Sequence, residues 1–253
     1  MRFTIIGDTR QNTHYADKPN EDFFWFDEAR GAALVLDGVS RSRINDTYPN
    51  PSPAREVTEI FAQAAGSVLA APDGQTPQEK LLAAVKAGNA AVARANAGFP
   101  SDFLPGTVGV LALAGEDGLS YAYVGDSNGI VLSRNQAAAF TVPQTRAVHD
   151  RLGEFTAHEI RTHICNNAQH PCGYGVWTGQ DGAMDFLRMG TVRLEPGDRV
   201  LLCTDGINPF LSAAGADALC GMDSQTLLEK AMAFRKPEGW MDDRTAVVIT
   251  AAQ

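Results

Sequence analysis

The clearest pattern in the chain is an apolar run of strand length that stops at an acidic residue. Residues 32–36 are all apolar and are followed by Asp37-Gly38. Such a run predicts a buried β-strand that delivers a carboxylate to a sheet edge, followed by a glycine that tolerates unusual backbone geometry. Two further strand-like runs end in the same way, and the aspartates that follow the three runs are Asp37, Asp126 and Asp205. A single Asp-Gly is usually only a turn, so it is the recurrence that indicates a shared site.

Other acidic positions open strands instead of closing them. Asp242-Asp243 stands just before a strand-like run near the C-terminus, and Asp22 stands directly before the apolar residues 23–26. Residues 23–26 are expected to form an antiparallel hairpin with the run that ends at Asp37, and this places Asp22 and Asp37 near one locus. A buried charge is costly unless it is paired or binds a cation. These aspartates together therefore predict a divalent-metal cluster.

Helical periodicity is present in two successive stretches. Apolar residues recur every three or four positions from residue 54 to residue 71, which predicts an amphipathic helix. Thr76 and Glu79 have the spacing of a capping box, which predicts a second helix that runs to about residue 96. Two long helices in succession are expected to form an antiparallel pair on one face of a sheet. A third helix is expected from about residue 224 to residue 234.

The remaining regular segments have the pattern of strands. A short strand is expected at residues 3–6, followed by a loop over residues 7–14. Three consecutive strands joined by short turns are expected to form an antiparallel meander, at residues 108–114, 119–124 and 129–133. The last strands are expected at residues 186–194, 199–204 and 245–250.

Residues 145–182 form the least regular stretch, and they are expected to be a long loop that borders the site. The pairs His163-x-Cys165 and His170-x-Cys172 within it could be read as zinc ligands. Their spacing matches no common zinc module and favours scattered loop residues. Trp25 stands among three phenylalanines, where the alternation of the segment favours core packing over an aromatic binding site.

The composition of the chain limits the classes of function. With 253 residues, 44% of them hydrophobic, the chain is expected to form a single domain over residues 1–253, and a monomer is expected. The net charge of −9 disfavours nucleic acid or an anionic membrane as a partner. No apolar run approaches the roughly 20 residues of a membrane span, and residues 1–6 lack the features of a signal peptide. A cytoplasmic location is therefore expected.

The motifs follow one another in a defined order along most of the chain. Asn20-Glu21-Asp22 is followed by the first Asp-Gly, two helices, Gly125-Asp126-Ser127, the second Asp-Gly and Asp242-Asp243-x-Thr245. This order resembles the metal-dependent serine/threonine protein phosphatases of the protein phosphatase 2C family, in their bacterial form. The resemblance implies an α+β fold, an α-β-β-α sandwich of two antiparallel sheets flanked by helix pairs. It also implies a binuclear Mn²⁺ or Mg²⁺ centre at one end of the sandwich.

The resemblance assigns a role to each matching residue. Asp37 matches the aspartate that bridges both metals, and Gly38 matches the glycine that provides a backbone carbonyl. Asp205 and Asp242 match the remaining carboxylate ligands, and Asp126 matches the aspartate that helps to hold a third, weaker ion in some members. Asp243 stands where the family often has asparagine, so the ligand role goes to Asp242. The residues expected behind the ligands, including those that bind metal-coordinated water, are Glu21, Asp22 and Asp243.

The chemistry of these residue types agrees with the implied metals. Mn²⁺ and Mg²⁺ are hard cations that prefer oxygen ligands. A site built from carboxylates and a carbonyl, without histidine or cysteine, suits them better than Zn²⁺. Two such ions can lower the pKa of a water molecule and clamp the phosphoryl oxygens, so no protein nucleophile is required.

Two departures from the family pattern concern the substrate. The family usually has an arginine five residues before the aspartate that corresponds to Asp22, but Asp17 stands there. An arginine from one of two loops, either earlier in the same loop or after the first Asp-Gly, is expected to hold the phosphate, because its fork matches a phosphate in a way that Lys18 cannot reproduce. The candidates are Arg10, Arg41 and Arg43. A histidine that some members place after the first Asp-Gly is also missing, so the general acid is unassigned.

The expected function is hydrolysis of phosphoserine or phosphothreonine on a protein partner by metal-activated water. The residues expected to carry it are Asp37, Asp205, Asp242 and Arg10. The missing arginine and histidine leave a second reading open, in which a phosphatase-like domain binds a phosphoprotein and turns it over weakly or not at all. A third reading is a phosphatase that acts on a small phosphorylated metabolite.

Overall fold

A computed structural model describes residues 2–13, 17–39, 48–72, 74–101, 104–239 and 241–252. Within these residues the strands are β1 (Arg2–Arg10), β2 (Phe23–Asp27), β3 (Ala32–Val39), β4 (Gly106–Gly115), β5 (Gly118–Val124), β6 (Asn128–Leu132), β7 (Ala137–Ala139), β8 (Arg188–Val192), β9 (Arg199–Cys203) and β10 (Arg244–Ala252). The α-helices are α1 (Pro53–Ala70), α2 (Pro77–Ala95), α3 (Arg146–His149), α4 (Ala157–Glu159), α5 (Asn208–Ala214), α6 (Ala216–Gly221) and α7 (Ser224–Ala233). Short 3₁₀ or π turns join several of them.

The strands form two sheets in which every pair of neighbours is antiparallel. The first sheet has the order β2-β3-β4-β5-β8, and the second sheet has the order β1-β10-β9-β6-β7. Helices α1 and α2 cover the outer face of the first sheet, and α5, α6 and α7 cover that of the second. The α+β sandwich predicted from the sequence is therefore confirmed.

Strand β3 shows why its run is apolar on both faces. Ala33 and Val35 pack between the two sheets, whereas Leu34 and Leu36 pack against the helix pair α1 and α2. A strand that is covered on both sides has no polar face, so its sequence is a continuous apolar run. Trp25 of the neighbouring strand packs against Gly66 of α1, which confirms its prediction as a core residue.

The two long helices begin where their caps predict. The Ser52 side chain caps α1, and Pro53 occupies its first turn. Thr76 and Glu79 form the predicted capping box at the start of α2, in which each side chain accepts from the other residue's backbone N–H. Phe61 of α1 stacks on Trp177 with ring centroids 4.4 Å apart, so the helix pair is also fastened to residues 145–182.

The predicted meander at residues 108–133 is wrong. Strands β4 and β5 do pair, but β6 crosses to the second sheet and lies between β9 and β7. The crossing occurs at Gly125, which has a φ of 90° that other residues rarely adopt. Ile130 and Val131 of β6 face opposite layers of the core, so the strand is apolar on both faces and its sequence does not show which sheet it joins.

Three other segments differ from expectation. Residues 7–10 belong to β1 and not to a loop, because an edge strand can carry polar side chains while its backbone pairs with β10. Residues 181–186 form a 3₁₀ turn before β8. Residues 145–182 contain short helices, and their side chains at Val148, Ile164 and Cys172 form a small apolar cluster. Among the residues with described positions, no helix has both the length and the apolarity to cross a membrane.

Candidate metal centre

Strand register brings the predicted aspartates to one end of the sandwich, which we call the acidic end. Asp37 lies near the end of β3 opposite Val108, and Asp22 precedes the partner strand β2. Asp126 lies between β5 and β6, Asp205 lies two residues beyond the end of β9, and Asp242 lies just before β10. Both sheets therefore contribute carboxylates to the acidic end.

The electrostatics show that these carboxylates face one another. Burial and then the charges of Asp22, Asp205, Asp126 and Asp242 hold the pKa of Asp37 well above its ordinary value. Burial, with Asp126 and Asp242 next, raises the pKa of Asp205 to about 7, although a hydrogen bond with Asp37 and the charge of Lys18 oppose the rise. A raised pKa means that ionising these carboxyl groups is costly in the metal-free protein, and a bound cation lowers that cost. Such a cluster suits a divalent cation.

Asp22 joins the two sheets from a buried position. Thr204 Oγ1 donates to Asp22 Oδ2 at 2.8 Å, and the Thr245 backbone N–H donates to the same Thr204 oxygen at 3.0 Å. The pKa of Asp22 is raised, first by burial and then by the charge of Asp243. Asp22 therefore lies behind the other aspartates, where it borders the loop that follows β9.

Asp242 and Asp243 differ in burial and in their hydrogen-bond donors. Asp243 is buried, and its carboxylate accepts from the Asn12 backbone N–H at 2.6 Å and from the Glu21 backbone N–H at 3.1 Å. Asp242 has a side chain that is 41% exposed, and its Oδ1 accepts from the Asp243 backbone N–H at 2.9 Å. Asp243 is thus held in the protein interior, whereas Asp242 is the more exposed of the two.

Glycines allow the backbone to approach closely at both Asp-Gly positions. A Cβ at Gly38 would lie 2.6 Å from the Glu21 carbonyl oxygen, and a Cβ at Gly206 would overlap the carbonyl oxygen of Asp243. Only a residue without a side chain fits either position. These contacts set the depth at which Asp37 and Asp205 enter the acidic end.

Asp126 is tied to the segment that follows β7. Thr145 Oγ1 donates to Asp126 Oδ2 at 2.9 Å, and Gln144 Oε1 accepts from the Gly125 backbone N–H at 2.9 Å. The segment predicted to border the site therefore begins in contact with one of the site's carboxylates. Asp126 is half-buried.

Lys18, which the sequence-based interpretation weighed only as a weaker candidate for holding the phosphate, is an ion-pair partner at the acidic end. Its side chain is 10% exposed, and its Nζ lies 2.8 Å from Asp243 Oδ2, 3.4 Å from Asp242 Oδ1 and 3.5 Å from Glu21 Oε2. Burial lowers the pKa of Lys18, but the charges of Asp243, Asp242 and Glu21 outweigh it, so the pKa is raised. Because the ammonium faces carboxylates, Lys18 does not lie free to hold a phosphate. The i,i+3 spacing of Lys18 and Glu21 was the sequence signal that could have indicated an ion pair here.

Arg244 was missed by the sequence-based interpretation, and it fastens the acidic end to helix α7. Its Nη1 donates to the carbonyl oxygens of Met232 at 2.7 Å and Phe234 at 2.9 Å, at the C-terminal end of the helix. A cation at this end of a helix satisfies carbonyl groups that lack helical partners. The start of β10, directly after Asp243, is held in place by these bonds.

The arginines proposed for phosphate lie in different situations. Arg10 ends β1 with a side chain that is 59% exposed, and its Nη2 lies 3.0 Å from Asp8 Oδ2. It pairs in register with Arg244, so it lies at the acidic end of its strand. Arg41 and Arg43 lie outside the described residues.

The donor set fits a hard divalent cation. The side chains that meet at the acidic end carry carboxylate oxygens, which are the ligands that such a cation prefers. In the part of the chain that is described, no group of three histidine, cysteine, aspartate or glutamate side chains is already arranged to hold an ion. Mutually repelling carboxylates would have to close around a cation, and the raised pKa values reflect this repulsion.

Comparisons with known proteins identify the family and the fold. The family model for protein phosphatase 2C matches residues 10–241. The serine/threonine phosphatase PstP/Ppp of Mycobacterium tuberculosis is 22% identical, with full coverage of both chains and a TM-score of 0.69. The phosphatase MsPP of Mycobacterium smegmatis, solved with cacodylate, is 22% identical with 98% coverage of both chains and a TM-score of 0.71. No curated protein sequence matches the chain.

A further solved relative bears on the predicted metals. The catalytic domain of PstP in complex with two manganese ions is 22% identical, with 99% coverage of both chains and a TM-score of 0.68. The family match confirms the resemblance of the ordered motifs and, with it, the predicted class of metal-dependent serine/threonine protein phosphatase. The chain belongs to the protein phosphatase 2C family.

Proposed function

We propose that this chain hydrolyses phosphoserine and phosphothreonine on proteins, with Mn²⁺ or Mg²⁺ bound at the acidic end. The observation that carries the proposal is the convergence of Asp37, Asp126, Asp205 and Asp242 at one end of both sheets, where burial and their mutual charges raise the pKa values of Asp37 and Asp205. A cluster of this kind is costly to fold, and a bound cation offsets the cost. Perturbed carboxylates in such a setting are typical of functional sites.

Each residue has a distinct task in this proposal. Asp37 lies between the carboxylates of both sheets and would bridge two ions, while the Gly38 carbonyl, Asp205 and Asp242 would complete their coordination. Asp126 would help to hold a third ion. Bound divalent ions lower the pKa of water and neutralise charge on a phosphoryl group.

Glu21, Asp22 and Asp243 would support the ligands from behind. Asp22 accepts from Thr204, and Asp243 accepts from Asn12, so both carboxylates are oriented by donors in the protein. This orientation leaves Asp242, which is the more exposed of the neighbouring pair, to face an ion.

Arg10 is the proposed phosphate-binding residue among the described candidates. Its guanidinium lies at the acidic end of β1, is largely exposed, and is held by a half-buried carboxylate, Asp8. An exposed ion pair of this kind contributes little, so a phosphate dianion can compete with Asp8 for the guanidinium. Arg41 and Arg43 remain candidates for the same task.

The proposal extends to the setting of the reaction. A net charge of −9 argues against nucleic acid or an anionic membrane surface as a partner. We therefore propose a phosphorylated protein as the partner and a single domain that acts as a monomer in the cytoplasm.

The test is hydrolysis of p-nitrophenyl phosphate and a panel of phosphoserine and phosphothreonine peptides, with added Mn²⁺ or Mg²⁺ and with EDTA. We expect turnover that requires the metal and favours the peptides. Undiminished turnover in excess EDTA would refute the metal mechanism. Tight peptide binding without turnover would instead support a phosphoprotein-binding domain, and preference for small phosphorylated metabolites would support a metabolite phosphatase.

A further inference from the structure

We propose that Lys18 is a built-in counter-charge of the acidic end, which stabilises the metal-free protein and weakens divalent-cation binding. This inference rests on the proposed metal binding. The positive charge of Lys18 would neutralise part of the negative potential that attracts a divalent cation. The strength of metal binding would then be set partly by a residue that is not itself a ligand.

The position of Lys18 connects the two halves of the acidic end. Its Nζ lies 3.5 Å from Glu21, which precedes the first sheet's strand β2, and 2.8 Å from Asp243, which precedes the second sheet's strand β10. It also lies 3.4 Å from Asp242. The side chain is only 10% exposed, so water screens these interactions weakly.

The neighbouring carboxylates are held in place without the ammonium. Asp243 accepts from the backbone N–H groups of Asn12 and Glu21, and Glu21 accepts from the Ser52 hydroxyl. Asp242 accepts from the backbone N–H of Asp243. Loss of the Lys18 ammonium would therefore remove a charge while much of the geometry is retained.

The backbone of Lys18 is likewise held independently of its side chain. The Lys18 carbonyl oxygen accepts from the side-chain amides of Gln11 and Asn12. A substitution that shortens or neutralises the side chain leaves these bonds available. The effect of such a substitution therefore reports mainly on charge.

The sign of the effect follows from Coulomb's law. Without a metal, the ammonium is attracted to the carboxylates of Glu21, Asp242 and Asp243 and offsets their mutual repulsion. When a divalent cation binds near Asp242, the same ammonium repels it. Removing the charge should therefore make the metal-free protein less stable and the metal complex tighter.

The experiment compares Lys18→Met with wild type by calorimetric titration of the full chain with Mn²⁺ and by thermal unfolding in EDTA. We expect Mn²⁺ to bind about ten-fold tighter, which corresponds to roughly 1.4 kcal/mol, and the unfolding temperature in EDTA to fall by several degrees. Lys18→Gln removes the charge but keeps a hydrogen-bond donor, so it should behave in the same way even if Lys18→Met does not fold.

Two variants serve as controls. Lys18→Arg keeps the charge and should bind Mn²⁺ like wild type. Lys80 is another buried lysine, whose Nζ donates to the Ala71 carbonyl beside α1, and Lys80→Met should lower the unfolding temperature without changing Mn²⁺ affinity. Unchanged or weaker Mn²⁺ binding by both neutral Lys18 variants, with an active wild type, would overturn this inference alone. A wild type that binds no Mn²⁺ would overturn the proposed function as well.

Discussion

The two Asp-Gly dipeptides of the acidic end have the same sequence but different local structures. Asp37-Gly38 remains inside β3, where Gly38 pairs with Thr107 of β4. Asp205-Gly206 leaves β9 at once and begins a 3₁₀ turn, Asp205–Ile207, that leads into α5. The dipeptide therefore does not specify a turn, and the neighbouring strand or helix decides its backbone conformation.

What the two dipeptides share is a close backbone approach to another acidic residue. Gly38 lies against the carbonyl of Glu21 in the first half of the acidic end, and Gly206 lies against the carbonyl of Asp243 in the second half. Lys18 then bridges the side chains of Glu21 and Asp243. In each half of the acidic end, two chain segments pack closely because a glycine leaves no side chain between them. Lys18 then connects the two halves through its ion pairs.

The largest expected effect is a loss of catalysis that ranks the aspartates of the acidic end. Asp37→Ala should lower kcat by roughly 1,000-fold or more, because Asp37 interacts with carboxylates of both sheets and its proposed place is between two ions. Asp205→Ala should be less damaging, and Asp126→Ala milder still. Calorimetric titration with Mn²⁺ and steady-state kinetics measure the ranking. Tight binding of two ions by Asp37→Ala would contradict the bridging role.

Alanine substitutions of the two glycines should destabilise the protein by different amounts. Gly206→Ala should destabilise the protein by about 3 kcal/mol, because its Cβ would overlap a backbone carbonyl that cannot swing aside, and Gly38→Ala by about 1 to 2 kcal/mol. Thermal unfolding in EDTA measures both. Gly98→Ala is the control, since no atoms lie within 4 Å of a Cβ there. Equal, small effects at all three positions would mean that the close approaches do not constrain the site.

Substitution of Arg10 tests whether the half of the acidic end formed by the second sheet also binds the substrate. Arg10→Ala should raise KM for phosphomonoesters and lower kcat/KM by roughly 10- to 100-fold, about 1.4 to 2.7 kcal/mol, with Mn²⁺ affinity unchanged. Arg2→Ala is the matched control, because Arg2 is exposed at the opposite end of the same strand. If Arg10→Ala has wild-type kinetics, Arg10 does not bind the phosphate, and the Arg41→Ala, Arg43→Ala double variant then tests the remaining candidates.

The smallest expected effect is a pH dependence of the metal-free protein. The folded-state pKa of Asp205 is raised to about 7, so the folded state binds more protons than the unfolded state between about pH 4 and pH 7. Stability in EDTA should therefore fall as the pH rises, by roughly 1 kcal/mol between about pH 6 and pH 8. Asp205→Asn should flatten this part of the slope in thermal unfolding. With saturating Mn²⁺ the slope should reverse, because protons and metal compete for the same carboxylates.

Local patterns were sufficient for the elements whose signals are short in range. The hairpin of β2 and β3 and the helices α1 and α2 were predicted to within a few residues, because strand alternation, capping residues and apolar periodicity act within one element. The aspartates of the acidic end were predicted from their place at strand ends. The same local signals did not reveal α5 and α6, which are short and weakly periodic.

The sequence by itself determined most of the strands and which carboxylates stand at their ends, because both properties depend on neighbouring residues. Only the tertiary structure decided that β6 leaves its predicted meander for the second sheet, since an apolar strand packs equally well in either layer. It also decided that Lys18 turns inward to Asp243, which lies 225 residues further along the chain. An ion pair of that separation has no local signal, because its partners meet only when both sheets are packed together.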